Sequence, residues 1–144
     1  MKKKAIIVSG YFNPLHKGHI DYFHKAKKFG DLLFVIVNND IQRESKGSTE
    51  FMNQEERLLI INELQITDKS FLSIDKDRKV SKTLEHIHIK NSSKYELYFA
   101  NGGDQTNESI PEKPICEKLN IIMIDNLGDK VQSSSWLLKK KYEN

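Results

Sequence analysis

At 144 residues the chain is long enough for a single domain, residues 1–144, to bury a core without disulfide or metal staples, and its 30% charged residues of mixed sign fit a globular protein. The net charge of +3 owes much to short basic runs near both ends, MKKK and KKK, which argues against nucleic acid and membrane as partners. One cysteine, Cys116, excludes an intrachain disulfide, and the lack of a secretory leader or a membrane-length apolar run points to the cytoplasm.

Residues 4–10, KAIIVSG, are apolar on both faces and predict a buried strand. Residues 18–29 carry Ile20, Phe23, Ala26 and Phe29 at helical spacing and stop at Gly30. LLFVIVN, residues 32–38, is a second buried strand. Residues 39–53 then read as a polar loop, too long for a mere connector and suited to a lid or binding loop. A helix with an acidic first turn follows over 53–64. KSFLSI, residues 69–74, predicts a weaker strand, 80–90 a helix, and 95–103 a fourth strand ending in two glycines. A short helix over 112–120, a fifth strand over 120–125 and a last helix beginning within 132–142 complete the series. Strand and helix in alternation imply an α/β protein, three-layer α/β/α, with a five-stranded parallel sheet covered on both faces. Ligands of such sheets gather at the C-terminal strand ends.

That edge carries SGYFNPLHKGHIDYF, residues 9–23. Gly10 permits close approach where the first strand leaves the core, and Pro14 stiffens the turn. The helix begins near His16–Gly18, and a helix N-terminus presents unpaired N–H groups and a positive dipole end to anions. His16 and His19, three apart, can face one pocket together, with Gly18 leaving the approach open. An anion pocket is the favoured reading; half of a metal site is the alternative, although no cysteine pair or HExxH supplies further ligands. His24, His86 and His88 read as exposed or structural.

GYFNPLHKGH closely resembles the G-x-F-[DN]-x-x-H-x-G-H signature of the nucleotidyltransferase superfamily, cytidylyltransferase-like, in which glycerol-3-phosphate cytidylyltransferases and heptose-phosphate adenylyltransferases fall. QSSSWLLKK, residues 132–140, resembles the serine-rich helix start that closes over the nucleotide's phosphates in that superfamily, and FANGGD, residues 99–104, its glycine–aspartate turn after strand four. The resemblance spans the chain and implies a Rossmann-like fold. Three positions depart from the pattern: Asn13 replaces a common aspartate, Gln132 an isoleucine, and Lys139 stands one place beyond a usual basic residue.

The resemblance implies transfer of a nucleoside monophosphate to a phosphorylated small molecule, with release of pyrophosphate. His16, His19 and Lys46 are the catalytic candidates: His19 near the transferring phosphorus, His16 on the bridging or β oxygens, Lys46 on the departing pyrophosphate. Gly10, Tyr11, Phe12, Asn13 and Gly18 of the first motif are assigned to nucleotide binding, with Ser133, Ser134 and Ser135 opposite them. Arg57 either joins that set or makes a helix-face ion pair with Glu50 or Glu56; Gly103 and Asp104 are assigned to nucleotide binding, Asp104 holding the base, the ribose or a hydrated Mg²⁺ or else capping the following turn. Mg²⁺ is expected because it bridges phosphate oxygens with few protein ligands. CTP is the first choice of donor and ATP the rival; the acceptor is expected to be a polyol or sugar phosphate, and a homodimer is in keeping with small enzymes of this kind. A non-catalytic nucleotide-sensing module is the reading from another class.

Overall fold

The computed structural model describes residues 2–101 and 110–125. Five strands, β1 (Lys3–Gly10), β2 (Leu32–Val37), β3 (Lys69–Leu72), β4 (Tyr95–Ala100) and β5 (Ile122–Ile124), pair in parallel in the order β3-β2-β1-β4-β5. The helices are α1 (Lys17–Lys27), α2 (Asp40–Lys46), α3 (Gln54–Glu63), α4 (Ser81–Asn91) and α5 (Lys113–Leu119). The α/β, Rossmann-like sheet expected from the alternating pattern is therefore the observed one.

β1 lies at the centre, and its apolar run explains why. Ile6 and Val8 face a layer with Phe23 and Ala26 of α1 and Ile61 of α3, whereas Ala5 and Ile7 face Leu84 and Ile87 of α4 and Cys116 of α5. Side chains alternate across a strand, so a strand buried on both faces must be apolar at every position, as residues 5–8 are. From β1 the chain steps outward through β2 and β3, then crosses back to β4 on the other side of β1. The C-terminal ends of β1 and β4 are thus the place where the winding reverses, where open sheets of this kind leave a crevice.

Residues 39–53 depart from expectation, since they hold α2 rather than an uninterrupted loop. Asn39 caps it: its side chain accepts from the Gln42 N–H at 2.9 Å, and Gln42 Oε1 accepts from the Asn39 N–H at 3.0 Å. Gly47, at φ +84°, ends it in the left-handed region. The buried face of α2 is Gln42 and Arg43, polar residues, so no apolar period marks the helix in the sequence. Its hold on the fold is made of amides. Asn39 Nδ2 donates to the Ser73 and Asp75 carbonyls, and Gln42 Nε2 to those of Asp77 and Lys79. Together they fasten the connection that leads from β3 to α4. Asp75 finishes that connection by accepting from the Lys82 and Thr83 N–H groups at the start of α4, where Val80 supplies no side-chain cap. Among the described residues no helix is long and apolar enough to cross a membrane.

Candidate active site

The chain leaves β1 through Tyr11 and Phe12, and a cis bond joins Asn13 to Pro14. Phe12 sits at φ +53°, sparsely populated for an aromatic residue, and so folds its ring back beneath Gly10. A Cβ on Gly10 would come within 2.7 Å of that ring. The ring then supports His19, edge to face at 5.0 Å between centroids, and Phe23 of α1 at 5.5 Å. His16 is the N-cap of α1: its Nδ1 accepts from the Gly18 N–H at 3.1 Å, and His19 Nδ1 accepts from the His16 N–H at 3.1 Å. The two rings lie 3.9 Å apart, tilted by 32°.

This reciprocal cap determines the chemistry of the pair. A neutral imidazole whose Nδ1 accepts must carry its proton on Nε2, so each ring offers an Nε2–H donor. Burial, and next the neighbouring His16, push the His19 pKa from its ordinary 6.5 down to about 4. His19 is therefore uncharged at neutral pH. With Nδ1 engaged by a backbone N–H, each ring turns its Nε2–H outward as a donor. A Cβ at Gly18 would meet His16 Cε1 at 2.9 Å, so the glycine makes room for that ring.

Two residues assigned to nucleotide binding form the wall of the site. Asn13 Nδ2 donates to the Thr49 carbonyl at 2.7 Å and to Ser48 Oγ at 3.4 Å, while its Oδ1 accepts from the Phe51 and Met52 N–H groups. An aspartate could not donate to Thr49, which accounts for the asparagine. Arg57 is buried, with Nη1 on the Tyr11 and Asn38 carbonyls at 2.7 and 2.6 Å, Nε on that of Met52 at 3.1 Å, and Nη2 on Asp40 at 2.8 Å. Asp40, not Glu50 or Glu56, is its ionic partner. Partial burial alone would raise the Asp40 pKa, but the Arg57 hydrogen bond, the Gln54 N–H and the charges of Arg57 and Arg43 outweigh it and hold it below the usual value. Lys46, at the exposed end of α2, places its ammonium 4.4 Å from the centre of the Tyr11 ring.

Beside the imidazoles, a cavity of about 400 Å³ opens between the ends of β1 and β4. Gly10 and Tyr11 line it, which joins it to the α1 N-terminus; His16, His19 and Lys46 stand outside its lining. Sequence reasoning missed several of its other walls: Asn38, Arg78, Asn101 and Glu112. Arg78 lay in a charged run, SIDKDRKV, that looks like solvated surface. Its place just beyond a strand's C-terminal end was the available signal. Burial chiefly raises the Glu112 pKa, against the lowering effect of the Val80 N–H at 2.9 Å. Gly103, Asp104, Ser133, Ser134, Ser135 and Lys139 lie outside the described residues.

A family model described as cytidylyltransferase-like matches residues 7–140. The chain is 35% identical over 142 residues to the FAD synthase of Thermoplasma volcanium, covering 96% of this chain and 94% of that protein. It is 30% identical over 147 residues to the bifunctional protein HldE of Cronobacter sakazakii; there the match covers 99% of this chain but only 28% of the relative. Among solved structures, the lipopolysaccharide core biosynthesis protein from Thermoplasma volcanium superposes with a TM-score of 0.68 at 25% identity, over 85% of this chain and 95% of the other.

Proposed function

Because the chain belongs to the cytidylyltransferase-like family and is a nucleotidyltransferase, we propose that it transfers AMP from ATP to a phosphorylated small molecule and releases pyrophosphate. The geometry that carries the chemistry is the imidazole pair on the first turn of α1, next to the cavity at the winding reversal. An acceptor phosphate oxygen attacks the α-phosphorus; the new P–O bond forms as the bond to the β-phosphate oxygen breaks, and pyrophosphate takes that electron pair. The nucleophile is already anionic, so no base is needed, in keeping with a His19 that binds a proton only near pH 4. The two Nε2–H groups donate to triphosphate oxygens, where fixed donors stabilise charge as it shifts toward the leaving group. The α1 N-terminus adds its dipole. Lys46 sits on Tyr11, at the border between imidazoles and cavity, and meets the departing pyrophosphate. Mg²⁺, if it enters, would be held by the triphosphate itself and would supply charge neutralisation at its oxygens.

The choice of adenine rests on the FAD synthase match, which covers nearly the whole of both chains. CTP is the second reading, favoured by the description of the matching family. Pyrophosphate release is the test, with ATP or CTP crossed against FMN and sugar phosphates. Release with ATP is expected. Release with CTP alone overturns the choice of base, and no release with any pair leaves the sensor reading in place of the enzyme.

A further inference from the structure

The cavity between β1 and β4 has two charged residues in its described lining, Arg78 and Glu112, and they differ in kind. Arg78 is exposed and belongs to the connection that Asn39 and Gln42 fasten to α2. Its Nη2 donates to the Ser45 carbonyl at 3.0 Å, and no carboxylate among the described residues pairs with it. A guanidinium anchored at one nitrogen keeps most of its N–H fork for an anion, and phosphate is the anion that fork fits. Glu112, by contrast, is 8% exposed, with Oε2 on the Val80 N–H. A second anion beside it would be repelled in a poorly solvated place, whereas an N–H or O–H group would be welcomed. Val80, Phe99 and Ile110 give the same cavity its apolar wall.

We propose that Arg78 and Glu112 select the acceptor: Arg78 binds its phosphate at the cavity mouth, and Glu112 accepts from N–H or O–H groups on the body lodged against Val80, Phe99 and Ile110. The acceptor is thus a phosphomonoester whose body combines hydrogen-bond donors with an apolar face. The assignment rests on the transfer reading above for the acceptor's role. Tyr11 ties the two regions together. Lys46 lies over its ring, and the charge of Arg78 acts on its hydroxyl, lowering a pKa that burial more strongly raises. Two cations therefore meet at the residue shared by cavity and imidazole turn.

The experiment compares affinities of the whole chain for FMN and riboflavin, ribose 5-phosphate and ribose, and phenyl phosphate and phenol, with ATP titrated separately. The wild type is expected to favour FMN or ribose 5-phosphate over its dephosphorylated partner by roughly tenfold to a hundredfold, the range of charge-assisted hydrogen bonds to phosphate. Arg78→Ala should erase that preference with ATP affinity and melting temperature unchanged, and Arg78→Lys should restore part of it. Phenyl phosphate, whose uncharged body has no N–H or O–H, should bind weakest of the phosphates, and Glu112→Gln should narrow its disadvantage. The proposal is overturned if the wild type binds none of the phosphates, if phenyl phosphate binds best, or if Arg78→Ala weakens ATP instead. A wild type that binds phosphomonoesters yet releases no pyrophosphate sinks the transfer reading alone. Pyrophosphate release with an acceptor KM untouched by Arg78→Ala sinks this proposal alone.

Discussion

Replacing Arg57 with methionine separates a residue of the wall from a residue of the nucleotide site. The guanidinium is buried and holds four acceptors: the carbonyls of Tyr11, Asn38 and Met52, and the Asp40 carboxylate. Methionine fills the volume and satisfies none of them. Removing one partner of a buried pair costs about 3–5 kcal/mol. The Asp40 side chain retains 26% exposure and can recover some hydration, which favours the lower end. About 3 kcal/mol is a large share of the roughly 5–15 kcal/mol that holds a domain together, and should lower the melting temperature by roughly 10 °C. Arg57→Lys keeps the charge and up to three donors but loses the planar fork, so its loss should be about 1–2 kcal/mol. Urea denaturation followed by circular dichroism measures both variants, and ATP affinity is read below their transitions. A methionine variant as stable as wild type, with weakened ATP binding alone, would refute the reasoning and return Arg57 to the phosphates.

His19→Asn keeps an acceptor near the His16 N–H but removes the Nε2–H, so pyrophosphate release should fall about a hundredfold at little change in melting temperature; wild-type turnover would refute the donor role. The same variant tests the pH dependence. Folding holds the His19 pKa at about 4 against 6.5 for the unfolded group, so its contribution to stability is complete above 6.5 and is lost as pH falls toward 4. Denaturation midpoints at pH 7.5 and 4.5 should therefore drop further for wild type than for His19→Asn, and equal drops would contradict the shift. Gly10→Ala drives a methyl into the Phe12 ring beneath His19, and should destabilise by about 1–3 kcal/mol while slowing turnover, as melting and rate together will show. Lys46→Ala, at an exposed helix end, should slow turnover with the melting temperature unchanged; an unaltered rate would make the lysine plain surface.

Much of the site was legible because it is local. The span from Gly10 to His19 is ten consecutive residues, and a strand end, a turn and a helix cap are dictated by neighbours along the chain. The doubly covered sheet was legible for a related reason: unbroken apolar runs such as residues 5–8 and 33–37 admit burial on both faces and little else. Helix α2 was not legible, since its buried face is glutamine and arginine and its partners are carbonyls some 35 residues away, such as those of Asp77 and Lys79. The base was not legible either.

The amino-acid order alone thus determined the strand and helix alternation, from which the parallel sheet was inferred, and the placing of His16 and His19 at a helix start, because the alternation and the helix start depend on residues within a turn or two of one another. The tertiary structure decided which way those histidines are protonated, that Arg57 and Asn13 brace the wall, and that Arg78 and Glu112 share a cavity. Those depend on carbonyls and carboxylates brought together from separate crossovers of the sheet, and no spacing along the chain encodes that convergence.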